Sequence, residues 1–462
     1  MSNKPFKSVH LTNYYHKNSG GISTAYNNLL EAANRYRRFV QLIVPGETDA
    51  VENIGDYGKI HYVKAEPFPL FDKRYRVLLP QKYISDDAPI RKILVAEMPD
   101  MIEICDKYSI SLLAGIIRKG YQRELNRPML VHSSCERMDD NIDSYVTKAK
   151  IGKWLARRVM GNYNFAMFDF YLANSDYTAQ ELFDSVHISK NPRRSSKFFD
   201  FCWRYFHAAK VPIDERVFVN NCGVDIETFN VGRKDADVRQ RILRDNGFAE
   251  DAKLLLYAGR ISPEKNVRLL PEIMKVLAQD ADENYCLIIA GDGPTAEQLK
   301  TDLQTVAPGK FKFLGNLTEK AELANLYANA DVFIHPNPRE PFGIGPLEAM
   351  SSGTLVVAPN SGGILSYATR ENAWLIEPVA QNFVGAIREI FAAPEKSQIK
   401  IASALQTTKQ YTWEISTDRL FSFYDWMFED FGRRRELYVY EAKSKDDKFT
   451  ELVGGHLPII TN

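Results

Sequence analysis

Short apolar runs alternate with amphipathic segments along the chain, most clearly in its second half. Within the stretch 266–279, for example, the apolar residues Leu269, Ile273 and Val276 recur at helical spacing. Runs that are apolar throughout are typical of strands buried on both faces, as in a parallel sheet built from βαβ units. The runs of the second half lie at 253–259, 285–291, 311–315, 331–335, 354–358 and 373–377.

The first half of the chain repeats this pattern, with apolar runs at 8–13, 39–46, 129–134 and 170–175. Gly223 and the preceding asparagine pair interrupt the pattern near 219–230. A chain of 462 residues is also too long for one ordinary core. The sequence therefore predicts an α/β protein of two doubly wound domains, an amino-terminal one over 1–218 with an insertion at 187–216 and a carboxyl-terminal one over 219–410.

Charge and cysteine usage narrow the class of protein. Lys plus Arg and Asp plus Glu each number 59, so the net charge of zero gives no reason to expect a nucleic-acid partner. The five cysteines form no CxxC pair, which argues against a metal cluster and favours a reducing cytoplasm. The first fifteen residues lack the apolar core of a signal peptide, and no apolar run reaches the roughly 18 residues of a membrane span. We expect a cytoplasmic protein.

In open parallel sheets, ligands bind at the carboxyl ends of the strands, so the residues that follow each strand are candidates. Arg260 and Lys265 follow the run 253–259, and two cations there suit a bound diphosphate, although a solvated basic turn is the alternative. Gly20 and Gly21 precede an amphipathic helix and would expose backbone N–H groups to an anion, with an ordinary flexible loop as the alternative.

The segment 339–350, REPFGIGPLEAM, places two glutamates around a glycine loop. Pro346 suits a first helical position, so the pattern predicts a helix over 346–352, in which capping explains Glu348. Glu340 precedes that helix, and capping does not explain it. Carboxylates accept hydrogen bonds from sugar hydroxyls, and the loop and helix N-terminus offer N–H groups to phosphates. The combination points to a nucleotide-sugar ligand.

The stretch 335–364 resembles the donor-site signature of the family-4 retaining glycosyltransferases, whose hallmark is a Glu-x7-Glu pair. Segments matching other motifs of that family occur in the same order, including YAGRISPEKNVRLL, IIAGDGP and NNCGVDIETF. The resemblance covers about residues 8–430. It implies the GT-B fold, in which two Rossmann-like domains face a central cleft, with a helix within 411–435 crossing back to the first domain. It leaves 436–462 unassigned.

The resemblance also implies residue roles. Glu340 would contact the donor sugar, Glu348 the ribose, and Arg260 and Lys265 the diphosphate. His132 would lie at the reacting face of the sugar, although a strand-end histidine is ordinarily a core residue. Further donor contacts would come from Gly20, Gly21, Phe342, Gly343 and Ile344. The chain departs from the family at Leu365 and Ser366, which replace Pro-Glu, and at Asn337, which replaces a serine.

The implied activity is transfer of a hexose, of the mannose or glucose class, from a nucleoside-diphosphate sugar to an acceptor hydroxyl. The family resemblance implies retention of configuration, with no metal ion and no cofactor. The alternatives are transfer to a small soluble acceptor, an inactive nucleotide-sugar-binding protein, or another enzyme of this fold such as an epimerase or a phosphorylase.

Two basic stretches bear on the acceptor. Residues 190–210 carry six cations, one acid and six aromatic residues, and 148–161 places Ile151, Trp154, Leu155 and Val159 on one helical face. Basic amphipathic segments with aromatic residues bind membrane interfaces, whereas helices packed in the core with solvated basic faces are the alternative. We expect a lipid, membrane-linked or glycan acceptor, with peripheral membrane contact through 190–210 on the inner face of the membrane.

Overall fold

The structure is a computed structural model that describes residues 6–16, 20–67, 76–145, 150–190, 196–281 and 283–440. The chain divides into two compact units. The first contains residues 1–17, 22–220 and 417–462, and the second contains 18–21 and 221–416. The boundary at 220/221 compares with the sequence-based boundary at 218/219.

Two sheets form the frame of the molecule. The first unit holds an eight-stranded sheet in the order β3-β4-β2-β1-β5-β6-β7-β8, parallel except for the antiparallel pair β3–β4. The second unit holds a six-stranded parallel sheet in the order β11-β10-β9-β12-β13-β14. The strands are β1 (Lys7–Thr12), β2 (Phe39–Gly46), β3 (Ala50–Ile54), β4 (Gly58–Lys64), β5 (Met101–Cys105), β6 (Met129–Ser134), β7 (Phe170–Ala173), β8 (Val217–Val219), β9 (Lys253–Ala258), β10 (Tyr285–Ala290), β11 (Phe311–Gly315), β12 (Val332–Ile334), β13 (Leu355–Pro359) and β14 (Trp374–Ile376).

Helices connect the parallel strands, as βαβ units require. They are α1 (Gly21–Tyr36), α2 (Pro89–Glu97), α3 (Ser111–Arg118), α4 (Met138–Tyr145), α5 (Lys150–Val159), α6 (Asp176–Lys190), α7 (Ser196–Tyr205), α8 (Ala236–Asp245), α9 (Leu269–Leu277), α10 (Ala296–Val306), α11 (Lys320–Asn329), α12 (Ile344–Ser351), α13 (Ala380–Ala392), α14 (Pro394–Thr408), α15 (Trp413–Arg433) and α16 (Arg435–Tyr438). None of the helices in the described ranges is long and apolar enough to cross a membrane.

The predicted α/β class is confirmed. Strands β5 and β10, which both lie inside their sheets, are buried along their whole length, because apolar side chains on both of their faces pack into the cores of the two units. The six apolar runs of the second half coincide with β9 to β14, each to within about two residues at its ends. Each unit therefore has its own sheet and its own buried core.

The helix within the predicted segment 411–435 is α15, whose residues from Thr417 onward belong to the first unit. There the Tyr424 hydroxyl donates a hydrogen bond to Glu103 Oε2 at 2.6 Å, while Phe421 and Met427 are buried in the core of that unit. Of the tail beyond 435, residues 441–462 lie outside the described residues.

The helix at 346–352 begins two residues earlier than predicted. Gly343, with φ of 93°, is the N-cap of α12, so Pro346 is the third helical residue and Glu348 the fifth. Proline is tolerated there because the first N–H groups of a helix have no intrahelical partner. First-turn capping therefore does not account for Glu348, and the sequence-based explanation of it was wrong. Gly353, with φ of 73°, follows the C-cap.

The insertion contains α7, which presents two different faces. Phe199, Trp203 and Phe206 are buried in the core of the first unit, and the Trp203 indole donates to the Gly161 carbonyl at 2.9 Å. The core alternative is therefore correct for these side chains, and they are not available to a membrane. Phe198 and Phe201 are exposed on the other face. Residues 191–195 of this stretch, and 148–149 of the stretch 148–161, lie outside the described residues.

Candidate active site

The candidate site lies where the sheet of the second unit changes its winding direction. Strands β9 and β12 are neighbours in this sheet, although β10 and β11 separate them in the chain, so chain order proceeds outward from them in both directions. Ligands of doubly wound sheets bind beside the carboxyl ends of the strands at this switch point. The loops that begin at Gly259 and His335 meet there.

An ion pair joins these two loops. The Lys265 ammonium donates to Glu340 Oε1 at 3.0 Å and to Oε2 at 2.8 Å. Lys265 ends a short 3₁₀ turn, Pro263–Lys265, and Asn266 after it adopts a left-handed conformation with φ of 54°. The Asn266 amide also donates to the Pro336 carbonyl at 3.0 Å, so the loop after β9 is tied to the loop after β12 by a second bond. The structure thus brings the predicted Lys265 and Glu340 together.

Glu340 is held as a carboxylate. Burial alone would raise its pKa, but the Lys265 ammonium and the hydrogen bonds from Lys265 and Asn337 hold the pKa of Glu340 at about 2. The Asn337 amide donates to Oε2 at 2.9 Å. Oε1 accepts only from Lys265 among the described residues, so it retains the capacity to accept a ligand hydroxyl.

The backbone that carries Glu340 is held by two glycines. Gly362 and Gly363 follow β13, and the Gly363 N–H donates to the Glu340 carbonyl at 2.6 Å. A Cβ at Gly363 would lie 1.8 Å from the Pro341 carbonyl oxygen, and Gly362 has φ of 86°. No side chain fits at Gly363, so the Gly-Gly pair is what permits this close backbone contact.

The N-terminus of α12 adjoins Glu340. A Cβ at Gly343 would lie 3.2 Å from Glu340 Cγ, which places the first turn of the helix beside the carboxylate. Phe342 is buried, with its ring 5.2 Å from that of Tyr367, and the Tyr367 hydroxyl donates to the Gly343 carbonyl. Phe342, Gly343 and Ile344 can therefore serve an anionic ligand through backbone N–H groups at the positive end of the helix.

Arg260 lies at the start of the loop that follows β9. It is half-buried, and its carbonyl accepts a hydrogen bond from the Tyr257 hydroxyl at 2.7 Å. The glycine before it lies so close to Gly291 that a Cβ on Gly291 would come within 1.9 Å of the Gly259 carbonyl oxygen. Gly291 therefore serves the close packing of two loops. This packing fixes the loop from which Arg260 extends.

Glu348 lies on α12, half-buried beside Tyr327. Burial raises the pKa of Glu348 to about 7, with nearby Asp225 adding to the rise and the Tyr327 hydroxyl and Lys320 opposing it. A carboxyl with this pKa is divided between its two protonation states near neutral pH. Perturbed carboxyl groups of this kind cluster at functional sites.

Gly20 and Gly21 belong with the second unit by their contacts. Gly20 has φ of 91°, and a Cβ at Gly21 would lie 3.3 Å from Ile344 Cδ1. The pair is thus next to the residue that begins α12. The expectation that these glycines approach the phosphates stays a prediction.

His132 is an interior residue. It lies within β6 with no exposed surface, and its ring is 4.9 Å from that of Phe168 and 6.0 Å from that of Phe165. Neither ring nitrogen has a hydrogen-bond partner among the described residues, and burial lowers the pKa of His132 to about 3. A ring so enclosed offers no exposed surface in this structure. The core alternative accounts for this burial, and the catalytic role of His132 stays a prediction that substitution tests.

His335 is a site residue that the sequence did not indicate. Its Nε2 is buried 3.8 Å from Glu340 Oε2 and has no hydrogen-bond partner in the described part of the chain. Burial lowers the pKa of His335 to about 4, so its neutral ring leaves a donor or acceptor beside the carboxylate. Its place directly after β12, at the end of the apolar run 331–335, was the available signal. No three His, Cys, Asp or Glu side chains within the described ranges are grouped to hold a metal ion.

Comparison with known proteins gives matches of two kinds. The family described as glycosyl transferases group 1 matches residues 238–406, which lie within the second unit and contain Arg260, Lys265, Glu340 and Glu348. The chain is 24% identical over 408 residues to a GDP-mannose-dependent alpha-(1-6)-phosphatidylinositol dimannoside mannosyltransferase of Mycobacterium tuberculosis, which covers 88% of this chain and 92% of that protein. It is 32% identical over 221 residues to a D-inositol 3-phosphate glycosyltransferase of Geodermatophilus obscurus, covering 45% and 47% of the two chains.

The fold is also found among solved structures. The Anabaena protein Alr3699/HepE, in complex with UDP and glucose, superposes with a TM-score of 0.65 at 17% identity and covers 91% of this chain and 99% of its own. The chain therefore has the two-domain α/β fold of the GT-B glycosyltransferases.

Proposed function

We propose that this protein transfers a hexose from a nucleoside-diphosphate sugar to a hydroxyl group of an acceptor. The observation that carries the proposal is the ion pair between Lys265 and Glu340 beside the N-terminus of α12, at the switch point of a parallel sheet. A nucleoside-diphosphate sugar carries an anionic diphosphate, which needs the ammonium and the helix N-terminus, and a polyhydroxylated sugar, which needs the carboxylate. The names of the relatives, a mannosyltransferase and an inositol phosphate glycosyltransferase, support the same class of reaction.

Different residues would bind the diphosphate, the sugar and the ribose of the donor. The Lys265 ammonium has three N–H groups and gives two to Glu340, so one is left for a phosphate oxygen. Arg260 and the N–H groups of α12 add further positive charge for the diphosphate. Glu340 accepts hydrogen bonds from sugar hydroxyls, and Glu348 accepts them from the ribose. In this proposal the Glu-x7-Glu spacing places Glu340 in the loop before α12, at the sugar, and Glu348 on α12 itself, at the ribose.

The chemistry follows from where charge develops. The acceptor oxygen forms a bond to the anomeric carbon while the bond from that carbon to the diphosphate oxygen breaks, and the electron pair leaves with the diphosphate. Lys265, Arg260 and the helix N-terminus stabilise the negative charge that develops on the leaving group. The acceptor proton passes to a phosphate oxygen on the same face of the sugar, which retains the anomeric configuration. We propose that these groups act without a metal ion or another cofactor.

The proposed acceptor is a lipid, a membrane-linked molecule or a glycan. One relative is named for a phosphatidylinositol dimannoside acceptor, which is an amphiphile with sugar hydroxyls. The relative named for inositol phosphate makes a small soluble acceptor the alternative. We propose that the transfer takes place in the cytoplasm, and at the inner face of the membrane when the acceptor is membrane-linked.

A donor and acceptor screen tests the proposal by following nucleoside diphosphate release. GDP-mannose and UDP-glucose are the first donors, and a membrane lipid extract and inositol phosphate are the first acceptors. We expect release to depend on one donor and one acceptor class, to continue with excess chelator, and to give a product of retained configuration. Donor binding without release under any acceptor would support an inactive binding protein. Donor isomerisation or hydrolysis with no acceptor would indicate another enzyme of this fold.

A further inference from the structure

Helix α5 packs with its apolar stripe outward. Ile151 is 69% exposed and Leu155 is 56% exposed, one turn apart, and Val159 continues the stripe. The residues that face the interior are instead Gly152 and Ala156, which are buried. An isolated exposed leucine needs no explanation, but a whole exposed helical stripe does.

Ion pairs prevent α5 from turning this stripe inward. Arg157 Nε is 2.7 Å from Asp139 Oδ2, and Lys153 Nζ is 3.5 Å from Asp140 Oδ1, so both cations are held by acids at the start of α4. Arg157 also approaches Asp184 of α6 at 3.6 Å. Rotating the helix to bury Leu155 would separate these charges, so the exposed stripe is a fixed feature of the first unit.

Helix α7 extends the exposed apolar surface. Its buried face packs in the core, while Phe198, Phe201 and Tyr205 are exposed at spacings of three and four residues, with Phe201 at 55%. Exposed Tyr163, in the turn after α5, joins the two helices, because its ring lies 5.7 Å from that of Phe198. We call the combined surface the α5–α7 face, which consists of Ile151, Leu155, Val159, Tyr163, Phe198, Phe201 and Tyr205.

Cations border the α5–α7 face. Lys150 and Lys197 are exposed at the first turns of α5 and α7. The Lys119 ammonium lies 4.5 Å from the centre of the Tyr205 ring, and the Arg158 guanidinium lies 5.0 Å from that of Trp154. Helix α7 carries one acidic residue, Asp200, beside these cations. Aromatic and aliphatic side chains bordered by Lys and Arg match an anionic lipid surface, which takes the apolar groups into its interface and attracts the cations.

We propose that the α5–α7 face docks the first unit onto an anionic lipid surface. The acceptor is then an amphiphile presented at that surface. The acceptor class rests on the proposed function, whereas the docking itself does not. The proposal differs from the expectation drawn from 190–210 alone. Phe199 and Trp203 belong to the core, and the lipid-facing groups come from two helices.

Sedimentation with vesicles tests the docking on the full-length protein. The vesicles are pure phosphatidylcholine or a mixture with phosphatidylglycerol, at low and high salt. We expect the wild type to bind the anionic vesicles, with binding weakened by salt because exposed charges are screened. The double variant Leu155→Glu/Phe201→Glu should reduce binding by about tenfold or more, since it removes two inserted side chains and adds two repelled charges. The matched control is Ile399→Glu, at a 70% exposed position on α14 of the second unit, which should leave binding unchanged.

Circular dichroism and thermal melting of each variant establish that it is folded. Absence of wild-type binding to anionic vesicles, or equal binding by the double variant, would overturn the proposal. A double variant that instead lowers self-association in solution, with no vesicle binding by either protein, would assign the face to a second copy of the chain. Donor binding measured without vesicles keeps the two proposals apart, because the double variant should retain it whether or not docking occurs.

Discussion

Lys265 and Glu340, seventy-five residues apart in the chain, form a two-point ion pair in which one ammonium donates to both carboxylate oxygens. The pair exists because β9 and β12 are neighbours in the sheet and the loops that leave them converge. It keeps Glu340 charged and aims one remaining N–H of Lys265 away from the carboxylate. In the proposed reaction, the charged Glu340 binds the donor sugar and the remaining N–H of Lys265 binds the diphosphate.

Lys265→Ala and Arg260→Ala should each weaken catalysis by about 2–4 kcal/mol of transition-state stabilisation, the size of effect seen when a donor to a developing anion is lost. The measurement is kcat/KM for nucleoside diphosphate release. Lys265→Ala should be the worse of the two, because it also leaves the buried Glu340 without its cation.

The matched control for these variants is Lys275→Ala, at an exposed position on α9 that bears no relation to the site. It should turn over donor at the wild-type rate. A Lys265→Ala enzyme that differed from wild type only in its affinity for the acceptor would contradict the diphosphate assignment.

Glu348 should give donor binding a pH dependence. Its pKa of about 7 means that the ionised fraction rises about tenfold between pH 6 and pH 8. If the carboxylate accepts from the ribose hydroxyls, donor affinity should rise with pH over that interval by up to this factor. Calorimetric titration of donor at several pH values measures it.

Glu348→Gln should flatten this profile while the protein stays folded. The same substitution should raise folding stability above neutral pH. The folded-state pKa lies above the ordinary value of 4.5, so the wild-type group costs stability as pH rises through 7. A pH profile that Glu348→Gln leaves intact would exclude Glu348 as its source.

Gly363→Ala should displace the loop that carries Glu340. A Cβ there would lie 1.8 Å from the Pro341 carbonyl oxygen, and backbone cannot yield as a flexible side chain does. We expect a loss of more than about 2 kcal/mol in the free energy of unfolding, together with weaker donor binding. Gly385→Ala is the control, since it lies in α13 with open space around it and should stabilise by about 0.5–1 kcal/mol. Equal melting temperatures for the two variants would show that Gly363 does not constrain the loop.

The strands and the two predicted cations could be found from sequence because apolar runs and their flanking residues are local properties. The ion pair between Lys265 and Glu340 could not, since it depends on the order of strands in the sheet. The start of α12 was missed for a local reason. Pro346 suits a first helical position, but Gly343 in a left-handed conformation begins the helix earlier.

The orientation of side chains was the least predictable feature. The stripe of Ile151, Leu155 and Val159 has the spacing of a core-facing helix, yet charge pairing between Arg157 and Asp139 turns it outward. Periodicity identifies the faces of a helix but not which face is covered, because the acids that hold α5 come from other elements. The enclosure of His132 could not be predicted for the same reason: a position near the end of a strand does not reveal the aromatic rings packed around it.

His132→Leu should leave turnover within about twofold of wild type if the core alternative holds, because the ring has no exposed surface and packs among aromatic side chains. It should also stabilise the protein against acid. The pKa of His132 is depressed to about 3, so protonation favours the unfolded chain once the pH falls below about 6.5, and leucine removes that cost. Thermal melting between pH 5 and pH 8 and steady-state kinetics test both points. A large fall in kcat in a well-folded His132→Leu enzyme would instead support the predicted catalytic role of His132.

Glu340→Gln tests the sugar-binding role of the loop before α12 most directly, because it keeps the size of the side chain and removes its charge. We measure kcat for nucleoside diphosphate release and the dissociation constant of the donor, beside Glu297→Gln at an exposed position on α10 as control. We expect a folded Glu340→Gln enzyme with kcat lowered about 100- to 1,000-fold, and a control that matches wild type. A Glu340→Gln enzyme that retained wild-type turnover would contradict the assignment of this loop as the sugar-binding centre.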